Sequence, residues 1–211
     1  MIEFFFDCSS PWTYLAFRNI QVLAEELKVP IAWRPVLVGG IFNSVNQAMY
    51  ASREDRSTPK NRYAMKDLQD CARATGLSIT FPPKVFPVNS VKAMRGCLWV
   101  AQDAAAKPQY TVFVEALFAA YFTRQDDISQ DEVLAAICRQ TGIDADAFMS
   151  GIVRADVKEA LKANTDEVIR RGGFGSPTFF VGDDMYFGND RLPLVKAAVE
   201  ASTNYAATRK T

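Results

Sequence analysis

The 211-residue sequence contains no histidine. Histidine is the commonest general base and metal ligand near neutral pH, so its absence excludes Ser-His-Asp and Cys-His mechanisms. We therefore expect no metal site. The sequence also lacks an excess of either charge, because lysine plus arginine equals aspartate plus glutamate at 24 each. This balance favours neither nucleic acid nor an anionic membrane as a partner.

Cysteine is scarce and widely spaced. Cys8, Cys71, Cys97 and Cys138 form neither a Cys-x-x-Cys pair nor a zinc-binding spacing. Three of them lie in apolar-periodic segments, which predicts buried, reduced thiols. No apolar run approaches the roughly 20 residues of a membrane span, and no charged and apolar leader precedes the first strand. We expect a cytoplasmic protein.

The most informative stretch lies near the start of the chain. A strand predicted over residues 2–6 runs into Ser10-Pro11-Trp12-Thr13, after which apolar residues recur at helical spacing as far as residue 27. A second strand, predicted through residues 31–35, completes a βαβ unit with parallel strands.

This strand-to-helix corner is where thioredoxin-like proteins carry Cys-Pro-x-Cys, but Ser10 and Thr13 stand where the two sulfurs would be. A hydroxyl cannot perform thiol–disulfide exchange. It can donate a hydrogen bond to a foreign thiolate at the positive end of a helix. The corner therefore predicts a protein that binds and activates an external thiol.

The C-terminal segment predicts the other half of the sheet. Residues 178–181 are typical of a strand, residues 182–184 of a hairpin turn and residues 185–187 of the return strand. A last helix is predicted from about Arg191, and Asp190 is in a position to cap it.

Ser176 and Pro177 immediately precede the first of these strands. In thioredoxin-like folds a cis-proline loop at this place faces the corner and pairs with the backbone of a peptide-like ligand. We expect a cis peptide bond here. An ordinary junction between a loop and a strand is the alternative.

Between the two ends the pattern is mainly helical. The periodic segments are residues 68–74, 91–105, 112–122, 133–137 and 148–153. The polar segment 43–61 is expected to form a long loop. The predicted fold class is α/β, a thioredoxin-like fold with an inserted all-helical domain. We expect residues 1–38 and 168–211 to form the split thioredoxin-like domain and residues 39–167 the insertion.

Six short motifs, which occur in order along almost the whole chain, resemble one family. They are Phe-Phe-Phe-Asp-x-x-Ser-Pro-x-x-Tyr-Leu-Ala at 4–16, Trp-Arg-Pro-Val-Leu-Val-Gly-Gly-Ile-Phe at 33–42, Pro-Lys-x-x-Tyr-x-x-x-Asp-Leu at 59–68, Phe-Pro-x-Asn-Ser-x-x-Ala-x-Arg at 86–95, Gly-x-Pro-Thr-Phe-Phe-Val at 175–181 and Phe-Gly-x-Asp-Arg-Leu at 187–192. The chain resembles the 2-hydroxychromene-2-carboxylate isomerases, which belong with the kappa-class glutathione transferases in the DsbA-like branch of the thioredoxin fold.

The resemblance implies a glutathione-dependent isomerase that interconverts 2-hydroxychromene-2-carboxylate and trans-o-hydroxybenzylidenepyruvate in naphthalene-type aromatic-hydrocarbon catabolism. Ser10 matches the family's catalytic serine, whose hydroxyl holds the glutathione thiolate. The residues that match the family's glutathione contacts are Asn46, Lys60, Ser176, Pro177, Asn189 and Asp190. Two of these have simpler alternatives, since Lys60 can be a solvated surface charge and Asn46 a turn residue.

The implied substrate is a small aromatic carboxylate, so its pocket should combine apolar walls with polar contacts. The predicted substrate-binding residues are Pro11, Trp12, Tyr63, Phe86 and Asn89, with Phe42 and Tyr50 as further candidate walls. Arg34 and Arg95 can anchor the carboxylate or pair with surface acids, and the surface role is the simpler one. Related proteins commonly dimerise, so a homodimer is expected.

Two positions depart from the family pattern. Ser176 replaces the usual valine or isoleucine before the cis-proline, and Cys8 stands where a bulky apolar residue is usual. We interpret Cys8 as a packing residue. Three other functions stay open, namely a kappa-class-like transferase that conjugates small electrophiles, a non-catalytic peptide-binding module, and an oxidoreductase that uses Cys8.

Overall fold

The computed structural model describes residues 1–49 and 58–208, the last six of these by their backbone alone. One mixed sheet organises the fold. Its four strands are β1 (Ile2–Phe6), β2 (Ile31–Pro35), β3 (Thr178–Val181) and β4 (Asp184–Phe187), and their order across the sheet is β2-β1-β3-β4. β1 runs parallel to β2 and antiparallel to β3, and β3 pairs antiparallel with β4.

The described residues form nine α-helices around this sheet. They are α1 (Pro11–Leu27), α2 (Val38–Val45), α3 (Pro59–Ala74), α4 (Val91–Gln102), α5 (Tyr110–Phe118), α6 (Asp131–Gln140), α7 (Ala145–Gly151), α8 (Ala155–Arg170) and α9 (Leu192–Thr208). Two 3₁₀ turns, Lys107–Gln109 and Asn189–Arg191, precede α5 and α9, and α5 continues as a π-helix over Ala119–Arg124. In the part of the chain that the structure describes, no helix combines the length and the apolarity that a bilayer crossing requires.

Alternating aromatic residues on β1 attach helices to both faces of the sheet. Phe4 stacks on Phe179 with ring centroids 4.8 Å apart, on the face where α1 packs. Phe5 points to the opposite face and packs in a second cluster with Ile41 of α2 and Val168 of α8. This alternation is the period of two that a strand buried on both faces requires.

The larger apolar cluster extends from the sheet into the middle of the chain. Tyr14 of α1 stacks on Phe118 of α5, with centroids 4.9 Å apart and planes 2° from parallel. Beyond them Phe113 and Phe148 belong to the same buried cluster as Phe4. Helices α4 to α8 therefore contribute to one core with the sheet. The boundaries 39 and 167 of the helical insertion stay a proposal.

The thioredoxin-like fold with helices inserted between its two halves is confirmed. The predicted limits of β1, α1 and β2 agree with the structure, and the C-terminal hairpin differs only in that Asp184 already belongs to β4. All five periodic segments overlap helices, although residues 103–105 and 152–153 lie beyond the ends of theirs. Helix α8 lies outside the predicted segments.

Two other predictions were wrong. The expected loop over residues 43–61 is helical at both ends, because residues 43–45 belong to α2 and α3 begins at Pro59. Its middle, residues 50–57, lies outside the described residues. Asp190 does not cap α9, because it lies inside the 3₁₀ turn Asn189–Arg191, where its carboxylate accepts a hydrogen bond from Arg191 Nη1 at 2.9 Å.

Gly96 lies inside α4, where alanine is normally the better helix former. A Cβ at this position would stand 2.5 Å from Phe148 Cζ, so α7 could not keep its present distance. We expect Gly96→Ala to lower the free energy of unfolding by roughly 1–3 kcal/mol. Gly39→Ala, on α2 with no atom within 4 Å of the added carbon, serves as the matched control and should not destabilise. Urea unfolding of both variants measures the difference, and a Gly96→Ala variant as stable as the parent would contradict this packing.

Candidate functional site

Ser10 occupies the N-cap of α1, at the corner between β1 and the helix. Its extended backbone (φ −102°, ψ 123°) lets its Oγ accept a hydrogen bond from the Thr13 backbone N–H at 3.3 Å. Pro11 takes the first helical position, where a missing N–H has no cost. The first turn of α1 carries no acidic side chain, so the positive end of the helix is open to an anion.

The Ser10 hydroxyl also reaches the loop before β3. It donates to the backbone carbonyl of Ser176 at 3.2 Å, and the peptide bond between Ser176 and Pro177 is cis, as the sequence predicts. The register of β1 on β3, with Phe5 opposite Thr178, brings these segments together. The corner and the cis-proline loop therefore face each other.

A second set of hydroxyls holds the two segments together from inside the protein. Thr13 Oγ1 and Ser176 Oγ lie 2.8 Å apart, and Ser176 Oγ also accepts the backbone N–H of Asp7 at 3.0 Å. Thr13 is fully buried and Ser176 nearly so. A hydroxyl in place of the usual valine or isoleucine thus satisfies a buried backbone donor and fixes the loop on the helix.

Beneath the corner lies the fully buried carboxylate of Asp7. Its Oδ1 accepts the backbone N–H of Ser9 at 2.9 Å, and its Oδ2 accepts the backbone N–H of Val38 at 2.9 Å and the hydroxyl of Ser90 at 3.0 Å. Burial raises the pKa of the Asp7 carboxyl above its ordinary 3.8, against the lowering effect of these hydrogen bonds. The sequence does not point to this role of Asp7, because two of its partners lie 31 and 83 positions away.

Three cavities lie at this corner, and the one that Ser10 lines shares wall residues with the other two. The first, which we call the serine cavity, has a volume of about 270 Å³ and is mostly apolar. Residues of its wall include Ser10, Pro11, Trp12, Leu68, Phe86 and Phe187. Because Ser10 lines this cavity and caps α1, an apolar group bound here would lie beside the N-terminus of the helix.

The second, the acidic cavity, has a volume of about 470 Å³ and shares Trp12, Ser176 and Phe187 with the serine cavity. Its further walls include Asp67, Cys71, Pro177, Asn189, Asp190 and Arg191. Asn189 is oriented by Asn19 of α1, whose side-chain amide donates to Asn189 Oδ1 at 2.9 Å. Two carboxylates face this concave surface against one guanidinium, that of Arg191, which pairs with Asp190. The remaining negative charge favours a cationic group.

The third, the side cavity, has a volume of about 290 Å³ and shares Ser9, Val38 and Phe86 with the serine cavity. Its further walls include Gly39, Gly40, Val88, Asn89, Ser90 and Tyr121. Tyr121 belongs to the π-helix and donates its hydroxyl to the Val85 carbonyl at 3.0 Å, which ties the loop carrying Phe86 to the cavity wall.

Most predicted site residues converge on these cavities, and three do not. Lys60 and Tyr63 lie on exposed parts of α3, Tyr63 with 66% of its surface accessible, and neither is among the wall residues of the three cavities. Asn46 is the C-cap of α2, and its side-chain amide donates to the Phe174 carbonyl at 3.0 Å. Asn46 therefore supports the cis-proline loop through this hydrogen bond, and it is not a wall residue of the three cavities. Tyr50 lies outside the described residues.

The two arginines considered as carboxylate anchors lie away from these walls. Arg34 pairs with Glu3 at 3.1 Å, as in its simpler interpretation. Arg95 Nε is buried without a hydrogen-bond partner among the described residues. No group of three or more histidine, cysteine or acidic side chains in residues 1–49 and 58–202 is arranged to hold a metal ion.

The thiol of Cys8, two residues before Ser10, is poorly placed for chemistry at the corner. Cys8 is fully buried in the main apolar cluster, and its backbone N–H lies 3.3 Å from Met94 Sδ. Burial, reinforced by the Asp7 carboxylate, raises the pKa of the Cys8 thiol well above its usual value. Cys8 is therefore a packing residue, as interpreted from the sequence.

Taken together, the mixed four-stranded sheet, the capped corner helix and the facing cis-proline loop define a protein of the thioredoxin fold. Comparison with known families narrows the class further. Residues 1–200 match the family described as the DSBA-like thioredoxin domain. The chain belongs to this family.

Individual relatives agree with the resemblance seen in the motifs. Two proteins named 2-hydroxychromene-2-carboxylate isomerase, from Pseudomonas putida and Sphingobium xenophagum, are 26% and 28% identical to it. Their alignments cover 94% and 93% of this chain, and 94% and 96% of the relatives. The human protein named glutathione S-transferase kappa 1 is 25% identical over 92% of this chain and 88% of its own length. The predicted resemblance is confirmed.

Solved structures show the same fold. A structure of 2-hydroxychromene-2-carboxylate isomerase superposes with a TM-score of 0.79 at 24% identity, covering 100% of this chain and 99% of that one. The cytosolic disulfide reductase DsbM from Pseudomonas aeruginosa, solved with GSH, superposes with a TM-score of 0.66 at 14% identity, covering 96% and 98%. At these identities the likeness establishes the fold alone.

The raised pKa of Asp7 makes a prediction about stability. The folded state holds this proton more tightly than the unfolded chain, so the contribution of Asp7 to stability falls as the pH rises from 3.8 through its raised pKa. The free energy of unfolding of the parent, minus that of Asp7→Asn, should therefore decrease across this window and be constant beyond it. Urea unfolding at a series of pH values measures the difference. A difference that rises with pH would show that the hydrogen bonds to the carboxylate outweigh its burial.

Proposed function

We propose that the protein is a glutathione-dependent isomerase that interconverts 2-hydroxychromene-2-carboxylate and trans-o-hydroxybenzylidenepyruvate. The observation that carries the proposal is the Ser10 hydroxyl, which caps α1, faces the Ser176 carbonyl and lies on the wall of an apolar cavity. Such a hydroxyl suits a bound foreign thiol. The similarity to relatives that carry the isomerase name supports the choice of reaction.

Glutathione fits the donor and acceptor groups of the cleft. Its γ-glutamyl head carries an ammonium group, which the carboxylates of Asp67 and Asp190 in the acidic cavity can accept. Asn189 offers a polar contact to the same head. Ser176 and Pro177, which border both the acidic cavity and the corner, lie where the cysteinyl unit would pass. When bound, glutathione supplies a nucleophilic thiolate that is regenerated at the end of the isomerisation.

The task of Ser10 is to stabilise that anion. The Ser10 hydroxyl donates to the Ser176 carbonyl, and a rotation about its Cβ–Oγ bond would direct the same proton to a sulfur at the helix N-terminus while Oγ keeps the Thr13 N–H. Each unit by which a thiol pKa is lowered requires about 1.4 kcal/mol of selective stabilisation of the thiolate. A hydroxyl hydrogen bond and the helix dipole together supply roughly 2–4 kcal/mol. This is sufficient to make the thiolate the main form near neutral pH.

The substrate would lie between the serine and side cavities, which share Phe86. Pro11 and Trp12 form the apolar wall nearest Ser10. Asn89 borders the side cavity, and its side-chain oxygen accepts the Val91 N–H at 3.1 Å, which leaves its NH₂ group as the donor for a carboxylate. The homodimer remains a proposal that rests on the resemblance, and the cytoplasmic location remains a proposal that rests on the sequence.

A second candidate is a glutathione transferase, since relatives of the kappa class align over the same length. The two activities differ in the fate of glutathione, because a transferase consumes it. We expect the ultraviolet absorbance assay of 2-hydroxychromene-2-carboxylate to show no turnover without glutathione. With trace glutathione, turnover should far exceed the amount supplied. Stoichiometric loss of glutathione with a model electrophile, without isomerisation, would favour the transferase.

Removal of the Ser10 hydroxyl tests the catalytic assignment. Ser10→Ala should lower kcat/KM about 100-fold or more, because the variant loses a charge-assisted hydrogen bond to the thiolate. Cys8→Ala should retain most activity, although it leaves a small cavity in the core. The opposite pair of results, an active Ser10→Ala and an inactive but folded Cys8→Ala, would indicate an oxidoreductase. If neither activity nor glutathione binding is found in the parent, the non-catalytic binding module is the better description.

Substitution of Asp190 tests whether the acidic cavity binds the γ-glutamyl head of glutathione. The Asp190 carboxylate is largely exposed and already pairs with Arg191, so we expect Asp190→Asn to weaken glutathione binding modestly, by about five-fold. Asp183→Asn removes an equal charge from the exposed turn of the β3–β4 hairpin and is the matched control. Isothermal titration calorimetry gives both dissociation constants. Equal affinities for the two variants would place the glutamyl head elsewhere.

A further inference from the structure

The Asp7 carboxylate has three hydrogen-bond partners, and these have one property in common. Ser9, Val38 and Ser90 belong to different parts of the chain, and all three line the side cavity. Ser9 precedes the corner helix, Val38 begins α2, and Ser90 is the N-cap residue of α4. The carboxylate lies behind the cavity, fully buried, and joins three of its walls.

The chemistry of these contacts requires a carboxylate. Two of the donors are backbone N–H groups, which cannot reverse their polarity, and they approach different oxygens of Asp7. An asparagine of the same shape would turn its NH₂ group toward one of them. Whichever way that amide faces, either Ser9 or Val38 would lose its acceptor. A buried donor without a partner forces the backbone that carries it to move.

We infer that Asp7 is a positioning residue that sets the shape of the side cavity and, through it, the affinity for the aromatic carboxylate substrate. This inference rests on the proposed function, because it assigns the side cavity to that substrate. Asp7 acts through Ser9, Val38 and Ser90 and does not touch the substrate itself.

The glutathione part of the cleft depends on a different atom of the same residue. The backbone N–H of Asp7 donates to Ser176 Oγ at 3.0 Å, and a change of side chain leaves this bond in place. Ser10 is held by Thr13 and by the Ser176 carbonyl, neither of which contacts the Asp7 carboxylate. The side chain of Asp7 therefore supports the side cavity and the part of the serine cavity that Ser9 and Val38 border, and none of its three partners lines the acidic cavity. The backbone of Asp7 supports the cis-proline loop.

The test compares Asp7→Asn with a matched variant elsewhere in the fold. Asp127 accepts the Ser129 backbone N–H at 3.0 Å, the same Asp-x-Ser geometry that Asp7 forms with Ser9, and is not a wall residue of any of the three cavities. We expect Asp7→Asn to raise KM for 2-hydroxychromene-2-carboxylate about ten-fold. Its kcat and its dissociation constant for glutathione should stay within about two-fold of the parent values. Asp127→Asn should leave all three unchanged. An unchanged KM for Asp7→Asn, or an equal loss of glutathione affinity, would overturn the inference.

A milder variant keeps the inference testable if Asp7→Asn does not fold. Ser90→Ala removes one of the three donors, so it should raise the same KM by a smaller factor. It should have little further effect when added to Asp7→Asn, because both changes act on one hydrogen-bond network. Independent, additive effects would show that Ser90 acts without Asp7, contrary to the inference.

A binding measurement separates this inference from the proposed function. Fluorescence titration with 1-hydroxy-2-naphthoate, an aromatic carboxylate that needs no turnover, reports occupancy of the side cavity in the parent and in each variant. If the parent has no isomerase activity but binds this probe, and Asp7→Asn binds it about ten-fold more weakly, the proposed reaction fails and the role of Asp7 stands. If the parent does not bind the probe, or both bind it equally, the inference is wrong whatever the activity.

Discussion

The antiparallel pairing of β1 with β3 is the constraint on which the site depends. Phe5 lies opposite Thr178, so the end of the first strand and the start of the third meet although about 170 residues separate them. In this register Phe4 stacks on Phe179 and Phe5 packs edge-on against Phe180, and a slip of one residue would break both contacts. The core that holds Phe4 and Phe5 therefore also sets the distance between Ser10 and Ser176. Formation of the sheet in this register therefore brings Ser10 and the cis-proline loop together.

What could be predicted from the sequence was local. The limits of β1 and α1 follow from a run of apolar residues, an N-cap serine and a proline at the first helical position, all within a few residues of each other. The start of α3 carries the same signal, since Thr58 accepts the Asn61 N–H and Pro59 begins the helix. The polar composition of residues 43–61 outweighed that signal in the prediction of a loop. A cap followed by proline is stronger evidence than polarity, because it satisfies helix donors directly.

The contacts that shape the cleft could not be predicted in this way. Asp7 reaches Val38 and Ser90 across 31 and 83 residues, and such pairs leave no period in the sequence. For the same reason, the helical spacing that predicts residues 68–74 of α3 gives no information about which face of the helix turns toward Ser10. In the structure Leu68 faces the serine cavity and Tyr63 faces solvent. Motif resemblance assigned Tyr63 to the site by its position alone, whereas tertiary packing decides which side chain turns inward.

The distribution of charge disfavours Cys8 as a nucleophile. Cys8 and Asp7 are neighbours, both fully buried, and the carboxylate adds its repulsion to the cost of burying a thiolate at Cys8. A protein that exchanges disulfides needs the reverse arrangement, with an exposed thiol whose pKa is lowered. Here the positive end of α1 is presented to the cleft by Ser10 instead, and the internal thiol is kept neutral. The corner keeps the capped, positive end of the helix that is typical of the thioredoxin fold, and this is why we propose a nucleophile that comes from a bound molecule.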